Sequence, residues 1–386
     1  MWFLDFELTE VQKDIQKAAK EFAQKEFSGE LARKFEQEEE YPFELWRKAC
    51  KLGFIGVHFP EEYGGQGLGT FENALVVEEF CKVDSTLGTA LILSDFASEI
   101  ILRFGSKEQK EEYLPKICKG EAISAGAFTE PEHGSDITFM STKASKEGDY
   151  WIINGTKTLI TNAPIASFFI VLCQTNLEAK PPYRGQSLFI VDKDANGVDV
   201  TKIGGKMGIR PSLTGEISFS NVRISKEKLV GQENRGFYHT LEFFDESRIE
   251  IAAQALGIAE GALERAVNYA KQREQFGQKI AEFQVIQHKI ADMAIKIETA
   301  KLLVYKAAWN FDQGRIDPCL TSMAKAYAGR VAVEVADEAV QIFGGYGYIG
   351  EYDVERIYRD AKITEIYEGT REIQKNTIAR AIIGKL

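Results

Sequence analysis

The chain has 386 residues, 44% of them apolar, with 47 basic and 58 acidic side chains for a net charge of −11. That length predicts two or three structural units with a substantial core, and the acidic balance disfavours a nucleic-acid surface. Five dispersed cysteines (Cys50, Cys81, Cys118, Cys173, Cys319) lack metal-ligand spacing and fit a reducing, cytoplasmic setting, and four scattered histidines sit beside no evident nucleophile.

The opening stretch MWFLDFELTEVQKDI lacks the basic start and apolar core of a signal peptide, and no apolar run reaches the length of a membrane span. From Thr9 to about Gly120 the period is helical. Leu52 to Gly69 is the longest break, and Thr86 to Phe104 is apolar enough for a buried helix or helix pair. From about Ile123 to Leu229 the pattern becomes strand-like. Tyr150–Ile153, Asn154-Gly155 and Thr156–Thr161 read as strand, tight turn and strand, with further strands at Phe168–Cys173, Ser187–Asp192 and Glu216–Val222. From about Gly236 the helical period returns in long runs. One carries the stripe Leu256, Ala259, Leu263, Ala266, Val267 and Ala270; others cover Phe283 to Gln313 and Asp317 to Phe343, the last stopped by Gly344-Gly345. The predicted architecture is α+β: an N-terminal helical domain (1–122), a small antiparallel β-domain (123–232) and a C-terminal four-helix bundle (233–386).

No GxGxxG follows a strand, and there is no P-loop or GxSxG. The informative segments are AFTEPEHGSD (Ala127–Asp136), REQFG (Arg273–Gly277) and IYEGT (Ile366–Thr370). A polar turn at the mouth of a sheet can hold a flat polar ring or a phosphate, and an arginine fork suits a pyrophosphate. A glycine pair lets a ligand approach the backbone, and an acid before a glycine reads by itself as a solvated turn residue.

Together, in this order and at these distances, the segments resemble the acyl-CoA dehydrogenase family along nearly the whole chain, most closely its short-chain branch. The resemblance implies an FAD enzyme in which Glu368 removes the α-proton of an acyl-CoA thioester while the β-hydride passes to the flavin. It implies FAD contacts at Phe128, Thr129, Gly134 and Ser135, and at Leu159, Ile160 and Thr161, where many relatives carry an aromatic residue in place of Leu159. It further implies FAD contacts from Arg273 and Gln284 of a neighbouring subunit, and at Phe276, Gln341, Ile342, Gly344, Gly345, Thr370 and Glu372. Substrate contacts are implied at Ser135, Phe244, Asp245, Arg248 and Gly369. Arg248 is expected to open a helix, a place that electrostatically prefers an acid. The implied partners are an electron-transfer flavoprotein and further copies of this chain, in a homotetramer. Ser247 occupies the alternative base position of isovaleryl-CoA dehydrogenase and supplies no base.

Asp95 stands in the otherwise apolar run TALILSDFASEIILRF. It reads either as a cap for the turn FASEII or as a second base aimed at a distal carbon of a cyclic or unsaturated acyl chain. No nearby cation marks a dicarboxylic acyl group of the kind glutaryl-CoA dehydrogenase takes. An acyl-CoA oxidase is disfavoured by length, and a flavin-containing nucleic-acid-binding relative by net charge and by Glu368.

Overall fold

The computed structural model describes residues 7–384; residues 1–6 of the opening stretch considered above lie outside them. Seven helices come first: α1 (Glu10–Glu26), α2 (Gly29–Glu38), α3 (Phe43–Lys51), α4 (Thr70–Val83), α5 (Ser85–Ile92), α6 (Ser98–Phe104) and α7 (Lys107–Cys118). Local chemistry sets several of their starts. Thr9 and Ser106 form capping boxes with Gln12 and Gln109, and Asp84 accepts from the N–H groups of Thr86 and Leu87. The run Ser85–Phe104 has the length and apolarity of a membrane span, contrary to the expectation from composition. It is 94% buried inside the protein and interrupted by a 3-10 turn at Leu93–Asp95, so it serves as core.

The middle segment is a mixed sheet. Its strands are β1 (Ser124–Ala127), β2 (Lys143–Glu147), β3 (Tyr150–Thr161), β4 (Phe168–Gln174), β5 (Gln186–Asp192), β6 (Val198–Ile203), β7 (Thr214–Ser225) and β8 (Leu229–Val230). The order is β6-β7-β3-β2-β4-β5-β8, with β1 added parallel to β4. The sheet is therefore not purely antiparallel, because β2 also meets β4 in parallel. The expected hairpin at Asn154-Gly155 is absent. β3 runs straight through it, with a register shift against β7 between Ile153 and Gly155. Gly155 has φ +147, and a Cβ there would come within 2.5 Å of Thr142, so the glycine serves a bulge rather than a turn. The chain reverses one step earlier, between Glu147 and Tyr150 through Gly148.

The C-terminal part holds α8 (Gly236–Gln272), the two-residue strands β9 (Glu274–Gln275) and β10 (Gln278–Lys279), α9 (Gln284–Asp312), α10 (Pro318–Phe343), α11 (Val354–Ala361) and α12 (Arg371–Ile383). Helices α8, α9, α10 and α12 form the bundle, with α4 packed against α8. The stripe read from the sequence covers only part of what α8 buries. Ile249, Ile251, Ala253, Ala255 and Ile258 are also buried, because α4 and α10 take different faces of the same helix.

Candidate active site

The glutamate of IYEGT sits on a reversed turn between a 3-10 segment (Lys362–Glu365) and α12. Glu368 has φ +52 and Gly369 φ +91, two successive left-handed residues. A left-handed glutamate is strained and persists only where its surroundings insist on it. Here they do. Gln374 Nε2 donates to the carbonyls of Glu368 (2.8 Å) and Gly369 (3.0 Å), and Lys325 Nζ donates to the Gly369 carbonyl (2.6 Å). The Tyr367 hydroxyl donates to Gln254 Oε1, and Gln254 Nε2 donates to Thr89 Oγ1 at 2.7 Å, tying the turn to α8 and α5. Thr370 caps α12 by accepting from Ile373 N, with Glu372 exposed in the first turn.

The Glu368 carboxylate accepts from Ser247 Oγ at 2.6 Å. Burial lifts its pKa above the usual carboxylate range, while the Ser247 hydroxyl and the charges of Arg248 and Lys325 pull it down. Arg248 lies twelve residues inside α8, so it does not open a helix, and its placement rests on its partners instead. It reaches Asp245 at 3.2 Å, while Thr321 Oγ1 donates to the same Asp245 oxygen at 3.4 Å. Burial pushes Asp245 up to about 6 against the pull of Arg248. Arg248 Nε is buried without a hydrogen-bond partner among the described residues, a donor free for a ligand. Phe244, on the same helix, meets Phe128 edge to face at 5.6 Å, which joins this face to the β-domain.

A buried ion pair organises the AFTEPEHGSD loop. Lys157 Nζ, fully buried on β3, donates to Glu130 Oε1 (2.9 Å) and to the Phe128 carbonyl (3.0 Å). The Glu130 carboxylate also accepts from the N–H groups of Ser141 (2.6 Å) and Thr142 (2.8 Å). Thr158 N donates to the Thr129 carbonyl at 3.0 Å, so the loop and the Leu159-Ile160-Thr161 strand lie side by side. Phe128 and Ile160 are buried, Thr129 and Thr161 half-buried, and Gly134 and Ser135 exposed. Leu159 has φ +57 in a second register shift of β3 and is 63% exposed. These groups present hydroxyls and one apolar side chain to open space, which suits the ring and side chain of a bound FAD.

A third group of residues forms a cleft of about 510 Å³ lined by Arg273, Ile342, Gly344, Gly345 and Tyr346, among others. The Arg273 guanidinium stands 5.3 Å from the Tyr346 ring centroid, and a Cβ on Gly344 or Gly345 would meet nothing within 4 Å beyond its own stretch of chain. A guanidinium beside bare backbone fits the phosphate and adenosine end of FAD. Gln341, Gln284 and Phe276 are exposed, Phe276 almost completely (96%).

Asp95 is not a helix cap. The N-cap of α6 is Ala97, with no side-chain bond, and Asp95 Oδ2 accepts instead from Gly56 N at 3.1 Å in a buried setting. Burial and the neighbouring Glu99 push Asp95 up to about 7. The His58 side chain is buried 3.6 Å from Glu99 and 3.9 Å from Glu246. Burial opposes its charge, and the two glutamates outweigh burial and raise its pKa to about 9. Arg103 grips Glu246 through Nε (3.0 Å) and Nη2 (2.8 Å). Sequence reasoning missed the Lys157–Glu130 pair, Ser247 as a hydrogen-bond partner, and Lys325. The readable signal was a charged residue at a core-facing position, as with Lys325 one turn from Thr321 and from Gly329 in α10.

Family models for the acyl-CoA dehydrogenase N-terminal, middle and C-terminal domains match residues 9–121, 125–222 and 234–383. The chain is 41% identical to the caffeyl-CoA reductase–Etf complex subunit CarC of Acetobacterium woodii, covering 98% of this chain and 99% of that one. It is also 41% identical to a short-chain-specific acyl-CoA dehydrogenase of Clostridium acetobutylicum, covering 98% and 100%. The solved butyryl-CoA dehydrogenase of Megasphaera elsdenii superimposes with a TM-score of 0.94 at 39% identity, over 98% of this chain and all of that one. With its three domains matched in order and its fold shared with a solved member, the chain belongs to the acyl-CoA dehydrogenase family of enzymes.

Proposed function

We propose that the protein dehydrogenates an acyl-CoA thioester to the α,β-enoyl-CoA, with a short-chain, branched or cyclic acyl group, and that Glu368 is the base. The carrying observation is a strained, clamped glutamate whose carboxylate accepts from one hydroxyl and lies in the field of two cations, Arg248 and Lys325. A thioester α-proton is weakly acidic, so its acceptor must be held close and kept ionised. Glu368 receives the α-proton on its carboxylate, the thioester Cα–Cβ bond becomes double, and a hydride leaves Cβ. Bound FAD, held by the Thr129–Ser135 loop, the Leu159–Thr161 strand and the Arg273 cleft, supplies the hydride acceptor. Arg248 and Asp245 hold the CoA portion, the unsatisfied Arg248 Nε being a donor toward it. In the reverse direction Glu368 returns the proton to Cα, which accommodates relatives named as reductases.

The same reading makes the enzyme a homo-oligomer, with the homotetramer as our choice, in which Arg273, Phe276 and Gln284 complete a neighbour's FAD site. Its support is the bare Phe276 and an exposed apolar row along α9, Ile295, Leu302 and Trp309, at seven-residue spacing. An electron-transfer flavoprotein is the proposed electron acceptor, in line with the Etf complex of the Acetobacterium relative. The five free cysteines, four of them buried, support placing the protein in the cytoplasm. A second reading concerns the substrate. Asp95 is buried and no cap, and it acts as an additional base on a distal carbon of a cyclic or unsaturated acyl chain.

Replacing Glu368 by Gln tests the central assignment. The variant should keep FAD and bind acyl-CoA, yet lose flavin bleaching by several orders of magnitude (about a thousandfold or more), because no other acceptor takes the proton. Near-normal bleaching refutes the assignment.

A further inference from the structure

Lys325 is 1% exposed about two turns into α10, flanked along the helix by buried Thr321, Ser322, Ala324 and Ala328. A buried ammonium is costly unless something compensates it. Its one hydrogen bond is to the Gly369 carbonyl at 2.6 Å, and among the described residues no carboxylate lies within ion-pair distance. The acids it senses are Glu368 and Glu365, and Glu365 is already met by Lys362 and Arg371. Glu368 is thus the carboxylate left to balance it.

The surroundings of Glu368 give the same pairing. From α8 it faces the Ser247 hydroxyl, Arg248 and the buried carboxyl of Glu250; from its own loop, the Tyr367 phenol; from α10, Lys325. Arg248 also acts on Glu368 but shares its charge with Asp245 at 3.2 Å, and burial with the neighbouring acids holds Glu250 well above the usual carboxylate range. Lys325 is the cation on this wall without a carboxylate of its own.

We propose that Lys325 is the positioning residue of the base: its ammonium holds the left-handed Glu368–Gly369 turn by the Gly369 carbonyl and supplies the charge that keeps Glu368 ionised where burial favours the neutral acid. The proposal rests on Glu368 being the base. Burial pulls Lys325 down to about 7 and lifts Glu368, and each group opposes the neutralisation that burial imposes on the other. When Glu368 takes up the α-proton, Lys325 loses its counter-charge, which favours release of that proton once product has left.

The test uses the FAD-loaded oligomer. Lys325→Gln keeps a donor for the Gly369 carbonyl and removes the charge; Lys325→Arg keeps a charge; Lys325→Met removes both. The readout is the pH dependence of flavin bleaching by butyryl-CoA, with FAD content and oligomeric state as controls for folding. The Gln variant should shift the acid limb upward by about one unit or more, a rate about tenfold lower at any pH below the limb. The Met variant should shift as far and also lose rate on the alkaline plateau, because the turn is freed. The Arg variant should keep the limb near its original place. An unmoved limb in the Gln variant, or an Arg variant that shifts as far as Gln, overturns the proposal. The Gln and Arg pair decides the matter if the Met variant does not fold. Glu368→Gln separates the two readings: if that variant still bleaches, the base assignment itself fails, whereas a dead Glu368→Gln enzyme beside an unmoved Lys325→Gln limb removes only the role given to Lys325.

Discussion

Removing the Ser247 hydroxyl is the sharpest probe of how Glu368 is kept competent. Ser247 Oγ donates to the carboxylate at 2.6 Å, a bond made to the ionised form. A hydrogen bond to a charged group contributes about 1.5–3 kcal/mol. At about 1.4 kcal/mol per pKa unit, its loss raises the carboxyl pKa by about one to two units. Glu368 is partly accessible, and Arg248 and Lys325 remain in place, so the lower end, about one unit, applies. The sign follows from which form is stabilised. Losing a partner of the anion favours the neutral acid, so the fraction of ionised base falls at every pH below the new pKa. Rapid-mixing measurements of flavin reduction under kcat/KM conditions should show the acid limb of Ser247→Ala displaced upward by about one unit, with the alkaline plateau preserved. Ser247→Thr retains a hydroxyl and should stay close to wild type. A limb that does not move in Ser247→Ala refutes the idea that this bond tunes the base.

The other expectations concern assembly, substrate and stability. Arg273→Ala should release FAD and weaken the oligomer together, and a sedimenting monomer that still holds stoichiometric FAD rules out a cofactor shared between chains. Asp95→Asn still offers an oxygen to Gly56 N, so melting should change little; turnover of a cyclic or unsaturated acyl-CoA should fall about tenfold or more relative to butyryl-CoA, and equal losses on both return Asp95 to a structural role. His58 binds its proton more tightly folded (about 9) than unfolded (6.5), so its stabilisation is complete below about pH 6.5 and is lost as pH rises through 9. Asp95, raised to about 7, also makes stability fall with rising pH. The difference in melting temperature between wild type and His58→Gln should therefore shrink across that window, and a difference that is constant with pH contradicts the charged-histidine assignment.

Helix, then strand, then helix was legible along the chain because periodicity and breakers are local. The 3.6-residue period of α8 to α10, the stop at Gly344-Gly345 and the apolar runs of β4 and β5 need no partner to be recognised. The glutamate, the polar loop and the arginine segment were legible for the same reason, since each is a short contiguous string. Asn154-Gly155 misled because the dipeptide that favours a two-residue turn also supplies the φ of a bulge, and only the neighbouring strand β7 and Thr142 decide between them. Arg248 misled because the helix start depends on the packing of Gly236 onward against β5 and α4, not on the residue itself. Asp95 looked like a cap because its partner, Gly56, lies 39 positions away in sequence.

What tertiary structure alone decided is electrostatic. Lys157 meets Glu130 across 27 residues, His58 meets Glu99 and Glu246 from three separate segments, and Lys325 reaches the Glu368 turn across 44. A charge read in sequence carries no sign of its burial or of its counter-charge, and those two quantities set whether it is ionised. The sequence by itself determined the order of helix, strand and helix and offered short strings of candidate groups, the glutamate among them. The folded chain determined which of them share a low-dielectric wall with Glu368, and hence which can govern its proton.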